Sequence, residues 1–420
     1  MRAAAAILLL AFARAAAAQA PAADAEEQAL KLADQPAAAP EQAGDWRFFA
    51  EGALREVRQR NPQSDQAAGR LSFDARFDKV FAPGWRAVFA DRLDMTRAEG
   101  SGSDSNINTL KEVYLSWQAA PDRIADLGRI NVRNGVALGY NPTDYLRAGA
   151  LRSVVSLDPA SLRENRMGTG MLRGQALWES GSLGALYAPK LADAPAAGDF
   201  DADFGSTNNR DRWLLTLSQR LVGSFSPQWL LQGGEGQSAQ LGVNVTAVPN
   251  DATVWFLEWS GGRSPSLAAQ AGVAPDDVAF RSRAATGFTY TTAANLSLTL
   301  EYDYNGAGLD AEGWDKLRAG PPARYGQYRA YALVQQDPPT RDNLFFYALW
   351  QDLLVKHFDL ALMLRRDLID ASRLQWVEAR YHWPKVDFAL QAQVNSGEPA
   401  SQYGAVPESR LLQALLRFYF

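Results

Sequence analysis

The last ten residues constrain the fold most. Leu412, Ala414, Leu416, Phe418 and Phe420 alternate with Leu411, Gln413, Leu415, Arg417 and Tyr419, a period of two that belongs to a strand and not to a helix face. Such an apolar, aromatic strand at the open edge of a soluble sheet would pair with other copies, whereas barrel closure against the first strand removes the edge. The alternation recurs. Leu296, Leu298, Leu300, Tyr302 and Tyr304 interleave with Ser297, Thr299, Glu301 and Asp303, and Val386, Phe388, Leu390, Ala392 and Val394 with Asp387, Ala389, Gln391 and Gln393. Leu241, Val243 and Val245 do the same between Gln240, Gly242, Asn244 and Thr246. Segments of about ten residues, apolar outward and polar inward, are the mark of a transmembrane β-barrel.

Other classes fall away. Beyond the N-terminus no window has the roughly 18 consecutive apolar residues of a membrane helix. The chain has 0 cysteines, so thiol chemistry, thiolate metal sites and an acylated cysteine anchor are excluded. A net charge of -5 argues against nucleic acid as a partner. Arg2 followed by an apolar run to Ala18 and closing on Ala18-Gln19-Ala20 predicts a secretory signal over 1–20. Its apolar core is too short for a membrane anchor. The Ala-, Pro- and acid-rich stretch 21–44 predicts a periplasmic leader, and 45–420 a single barrel domain.

The terminal strand resembles the C-terminal signature of bacterial outer-membrane barrels, which implies that Phe418 and Phe420 serve as the insertion signal. Partners follow from that location: outer-membrane lipid and lipopolysaccharide, the barrel-assembly machinery, and a polar or anionic solute. Eighteen candidate strands can be marked between 45 and 420, and 325–336 alternates weakly as a nineteenth. With both termini in the periplasm, long and short connections must alternate consistently from either end. The two counts agree only when 325–336 belongs to an external loop, so a closed antiparallel barrel of about 18 strands is expected. Trp85, Trp178, Trp213, Trp259, Trp350, Tyr381 and Trp383 near strand ends fit interfacial girdles.

Strand parity puts Asp74, Arg76, Arg86, Arg92, Asp94, Glu112, Arg129, Arg133, Arg173, Arg281, Arg283, Glu301, Asp303, Asp359, Arg365, Glu378 and Arg380 toward the pore. A lipid-facing Arg at mid-membrane costs about 2–4 kcal/mol, so these charges need a wet lumen. Arginine rings favour anions. The alternative is that arginines and acids pair across strands only to satisfy a polar lumen. Asp91 falls on the lipid parity, which a β-bulge or a place near the rim would excuse.

A long polar connection follows Gly128-Arg129 and contains Gly139-Tyr140-Asn141-Pro142-Thr143-Asp144-Tyr145-Leu146-Arg147. With Glu378-Ala379-Arg380-Tyr381-His382-Trp383 and the last strand, it resembles the alginate-export type of outer-membrane porin. That resemblance implies an Arg-lined pore for an anionic polysaccharide, with Arg129 and Arg133 at the matching positions and loops folding inward. Tyr140, Asn141, Asp144 and Arg147 are therefore the expected constriction, although Gly135, Gly139 and Pro142 could be ordinary turn residues.

Asp199, Asp201 and Asp203 before Gly205 match a calcium loop poorly, since Arg210 occupies the bidentate acid's position. A solvated acidic loop is the better reading. His357 and His382, both on lumen parity, have no assignable partners for zinc or serine-hydrolase chemistry. No cofactor or metal is expected, and a channel is preferred to an outer-membrane lipase or protease or a barrel scaffold. The same barrel can host all three.

Overall fold

The computed structural model describes residues 44–60, 65–99, 104–222 and 225–420. The expected signal, and all of the leader except Gly44, lie outside the described residues. Eighteen strands form one antiparallel sheet. They are β1 (Trp46–Gln59), β2 (Asp65–Ala82), β3 (Trp85–Ala98), β4 (Ser105–Ala120), β5 (Arg123–Ile130) and β6 (Thr169–Trp178). Next come β7 (Gly181–Ala188), β8 (Arg212–Gln219), β9 (Gln228–Gly234), β10 (Gln237–Asn250), β11 (Thr253–Ser264) and β12 (Ala279–Thr291). The last six are β13 (Leu296–Asn305), β14 (Asp342–Trp350), β15 (Phe358–Asp367), β16 (Arg373–His382), β17 (Val386–Ser396) and β18 (Glu408–Tyr419). Every strand pairs with its neighbours in sequence, and β1 pairs with β18 through Phe49↔Tyr419 to Arg58↔Arg410.

The barrel is thus closed as the terminal alternation requires. Leu412, Leu416 and Phe418 stand exposed on the outer face of β18, while Gln413, Leu415 and Tyr419 are buried on the inner one. The weakly alternating 325–336 falls in a helix, as the loop count demands. Among the described residues five helices lie in connections: α1 (Pro159–Glu164), α2 (Phe204–Thr207), α3 (Leu267–Gln270), α4 (Ala311–Ala319) and α5 (Pro322–Gln335). Among the described residues no helix is long and apolar enough to cross a membrane. Leu267, Trp314 and Tyr328 bury α3, α4 and α5 against one another at the long-loop end. Trp85, Trp178 and Trp383 are exposed near the short-turn end.

The wall is uneven. Strands β1 to β4 run 14 to 18 residues, whereas β5 to β9 run 7 to 10. Opposite Asp91 the β3–β4 register shifts. The extra residue is Lys111 on β4, which turns inward to reach Asp74 at 2.6 Å. Asp91 itself stays on the outer side, half-buried, and accepts a hydrogen bond from Asn108 Nδ2 at 3.0 Å.

At the seam, Phe420 donates its N–H to Phe48 O at 3.2 Å, and its ring meets Phe418 edge-on at 5.0 Å. One exposed ring and one hydrogen bond contribute about 1–2 kcal/mol to the folded barrel. If Phe418 and Phe420 act as the expected insertion signal, read before the seam exists, deleting Phe420 should nevertheless lower the amount of membrane-inserted barrel severalfold. Heat-modifiable gel mobility of membrane fractions measures this, and an unchanged yield would sink the insertion role of Phe418 and Phe420.

Candidate functional site

The lumen is charged on three sides. On the tall wall Glu51, 2% exposed, accepts Arg70 at 2.6 Å, Arg92 at 3.2 Å and Arg417 at 2.8 Å. Arg92 also pairs with Asp94 at 2.9 Å, and the Phe49 ring lies 5.7 Å from its guanidinium and 4.3 Å from that of Arg417. Lower down, Arg76 meets Glu112 at 2.9 Å and Arg86 meets Asp78 at 2.5 Å. On the second side Arg380 binds Glu378 at 2.8 Å, while His382 lies between Asp359 at 3.3 Å and Asp387 at 2.9 Å. These opposite-charge contacts satisfy side chains that lipid could not accommodate.

The third side holds a loop. After Ile130 the chain leaves the wall and re-enters it at Thr169, and the connection folds back into the barrel. Two wall carboxylates hold it there. Glu258 of β11 accepts the N–H groups of Val136 at 2.5 Å and Ala137 at 2.7 Å. Glu301 of β13 accepts those of Leu138 at 2.9 Å, Gly139 at 3.0 Å and Tyr140 at 2.9 Å. Five consecutive backbone donors thus point at two buried carboxylates, an arrangement that orients charge-assisted hydrogen bonds and leaves none of these donors unmet. The glycines permit the approach. A Cβ on Gly135, whose φ is +78°, would stand 2.4 Å from the Glu258 carboxyl, and one on Gly139 would stand 2.6 Å from the Phe345 ring. They are sites of close contact, beyond turn punctuation.

The tip of the loop is locked by its own side chains. Asn141 Oδ1 accepts the Asp144 N–H at 3.1 Å, and Asn141 Nδ2 donates to Asn134 O at 2.6 Å. Arg166 binds Asp144, and Arg147 binds Asp337 beyond α5 while lying over the Tyr140 ring at 5.0 Å. Burial alone would lower the Arg147 pKa, but Asp337, Tyr140 and Asp144 together outweigh burial and raise it. Tyr140 donates to the same carboxylate at 3.1 Å, and Tyr145 OH meets Ser260 Oγ of β11 at 2.9 Å. The four residues expected as the constriction therefore lie on the inserted loop, but their polar groups are spent on holding it in place.

Of the expected pore-lining residues, Asp74, Arg76, Arg86, Arg92, Asp94, Glu112, Arg173, Arg281, Arg283, Glu301, Asp303, Asp359, Arg365, Glu378 and Arg380 alternate onto the inner face. Arg173 is paired with Asp126 at 2.7 Å and Arg281 with Asp277 at 2.8 Å. Arg365 lies over the Phe345 ring at 5.3 Å. Arg129 needs correction: it sits opposite Val113 and Gly170 on the outer parity of Leu127. Its guanidinium donates to Leu110 O at 3.2 Å and to Ala202 O, under the Phe204 ring of α2 at 4.2 Å. The two faces of β5, Leu127 with Arg129 and Asp126 with Gly128 and Ile130, mix polar and apolar residues alike, so its parity is not readable. Arg133 lies past the end of β5 and is exposed.

His357 occupies the short turn before β15, exposed and at φ +69°, and not the lumen. The Asp199–Asp203 stretch forms a cap: Asp203 Oδ1 accepts Ala196 N at 2.8 Å and Ser206 N at 3.2 Å at the start of α2. Glu258 is the main residue that sequence reading misses. Its signal is a lone acid within the apolar run Val254–Trp259, on the alternation of Ser260.

Solved bacterial structures share this architecture. Pseudomonas aeruginosa OccK2 (OpdF), solved in complex with glucuronate, superposes with a TM-score of 0.54 at 10% identity, covering 90% of this chain and 97% of that one. The fold is that of a porin. P. aeruginosa OpdQ gives 0.52 at 8% identity over 90% and 99% of the two chains, and OccD3 (OpdP) 0.51 at 12% over 95% and 98%. No family model matches the chain. No curated protein matches it in sequence.

Proposed function

We propose that the protein is an outer-membrane channel for polar solutes that favours anions, with its long-loop end outside the cell. The observation that carries the anion preference is Arg283. It lies on the inner face of β12 beside the inserted loop, and among the described residues it has no ion pair or hydrogen bond, unlike Arg76, Arg86, Arg92, Arg173, Arg281 and Arg380. A second such arginine, Arg210, stands at the entry to β8. Burial and Asp337 push the Tyr331 hydroxyl of α5 up, and Arg210 and Arg283 both counter that shift. Uncompensated positive charge at a mouth raises local anion concentration and is screened by salt.

Replacing Arg210 and Arg283 with glutamine should shift the reversal potential toward cations at about 0.1 M salt, where the Debye length is about 10 Å, and much less at 1 M. Planar-bilayer recordings under a salt gradient measure it. Equal selectivity in variant and parent would remove these arginines from the pathway. Sugar acids are the first solutes to test. The alginate-type resemblance adds anionic polysaccharide, which should block the current of small ions from the long-loop side if it is cargo. A barrel enzyme is less well supported. His382 is held by two carboxylates, and the hydroxyl that donates to Asp387 is the Tyr419 phenol at 2.7 Å, so among the described residues no serine or threonine hydroxyl is placed on this histidine–carboxylate pair.

A further inference from the structure

The outer face of the barrel carries a row of arginines at the long-loop end that the channel does not use. Arg58 of β1 stands directly opposite Arg410 of β18, and Arg366 of β15 directly opposite Arg373 of β16. All four are exposed and on the outward parity. Like charges in directly opposed positions, with Cβ atoms about 5 Å apart, destabilise a sheet. Asp65 faces Arg58 across β2, and Glu56 and Glu408 lie on the same rim, yet among the described residues no carboxylate forms an ion pair with any of the four. Among the described residues the four guanidinium groups make one hydrogen bond, from Arg373 Nε to Ser396 Oγ at 3.2 Å.

Between the two pairs, β17 presents Ser396 opposite Arg373 and Val394 opposite Arg410. A groove of about 470 Å³ opens there, lined by Arg58, Arg60, Asn395, Ser396, Ser409 and Arg410. Directly below, toward mid-membrane, the same strands expose Leu54, Leu362, Leu390 and Leu412. The surface is therefore amphiphilic in one direction, with guanidinium forks above and an apolar wall beneath. Guanidinium forks match phosphate oxygens two at a time. A free anion would use the forks and ignore the leucines; a lipid uses both.

We propose that this rim binds the phosphate groups of a lipopolysaccharide molecule whose acyl chains lie on the leucines below. The proposal rests on the outer-membrane reading above, which puts this end of the barrel in the outer leaflet. The bound phosphates supply the negative charge that the two arginine pairs lack, so the lipid and the barrel stabilise each other.

The test uses the full chain in phosphatidylcholine vesicles with and without lipopolysaccharide, in the parent and in R58Q/R410Q, R366Q/R373Q and the fourfold variant. Native mass spectrometry counts the lipopolysaccharide retained, and urea unfolding reports stability. Retention should fall about tenfold or more in the fourfold variant and by an intermediate factor in each double variant. In lipid-free detergent the variants should be at least as stable as the parent, because like-charge repulsion has been relieved. Lower stability there would assign the arginines a structural role and overturn the proposal. Equal retention of enzymatically dephosphorylated lipopolysaccharide would also overturn it. So would equal stabilisation by inorganic phosphate in plain phosphatidylcholine vesicles. Conductance separates the two readings: a barrel that retains the lipid and passes no ions defeats the channel alone, and one that conducts with unaltered lipid retention defeats the lipid site alone.

Discussion

Replacing Glu258 and Glu301 together with alanine should raise the single-channel conductance about twofold or more, with the barrel still folded. The two carboxylates accept the five consecutive N–H groups of Val136 to Tyr140, and a hydrogen bond to a charged group contributes about 1.5–3 kcal/mol. Their removal leaves that stretch without wall partners inside a wet lumen, where water can take the donors. Arg147 on Asp337 and Tyr145 on Ser260 remain, so the loop is released from residue 136 onward and stays tethered near its tip. A barrel of this size encloses an aqueous channel unless something narrows it, so the freed cross-section appears as conductance. The glutamine pair, E258Q and E301Q, keeps one carbonyl acceptor at each site but loses the charge and one of the two Glu301 acceptor oxygens, so its conductance should fall between those of the parent and the alanine pair. Bilayer recordings, with protease sensitivity of the loop as a second readout, check both arms. Parental conductance in the alanine pair would mean that packing around Leu138 and Leu146 holds the loop.

The contrast between these wall acids and the rest of the lumen explains what the amino-acid order reveals. Strands are legible because the lipid imposes a period of two on every one of them: Leu412, Leu416 and Phe418 must be apolar, whatever pairs inside. Even the weak alternation of 325–336 could be set aside, because helices in a connection do not alter the parity of long and short turns. Parity becomes unreadable where the outer face no longer meets lipid. At Arg129 a loop covers the wall, so an arginine can face outward. At Lys111 a bulge turns a charge inward that a straight count puts outside. Partnership is a different matter. That Glu258 and Glu301 hold backbone and not arginine depends on contacts more than 100 residues away in sequence, as with Val136 and Glu258, 122 positions apart. Inner-face charge therefore identifies a polar lumen and does not by itself separate free cations such as Arg283 from neutralised ones such as Arg92.

Glu51 gives the largest expected loss of stability. Glu51→Ala should lower the free energy of unfolding by about 3–5 kcal/mol, the cost of breaking a buried ionic cluster by removing one partner. The carboxylate is 2% exposed and serves Arg70 of β2, Arg92 of β3 and Arg417 of β18. Arg92 keeps Asp94, whereas Arg70 and Arg417 have no other carboxylate within ion-pair distance among the described residues. Glu51 also faces Arg417 directly across the closing β1–β18 seam, so the uncompensated charge falls where the barrel opens first. Urea unfolding in detergent, followed by tryptophan fluorescence and gel mobility, reads the loss. Removing the cations as well, in Glu51→Leu with Arg70→Met and Arg417→Met, should recover most of it, because apolar groups of similar volume carry no desolvation cost. A loss below about 1 kcal/mol in Glu51→Ala would show that lumen water hydrates the arginines well enough to make the cluster behave like a surface ion pair. The tall wall would then be held by its strand ladder, with the charges contributing to the pore field instead of to the fold.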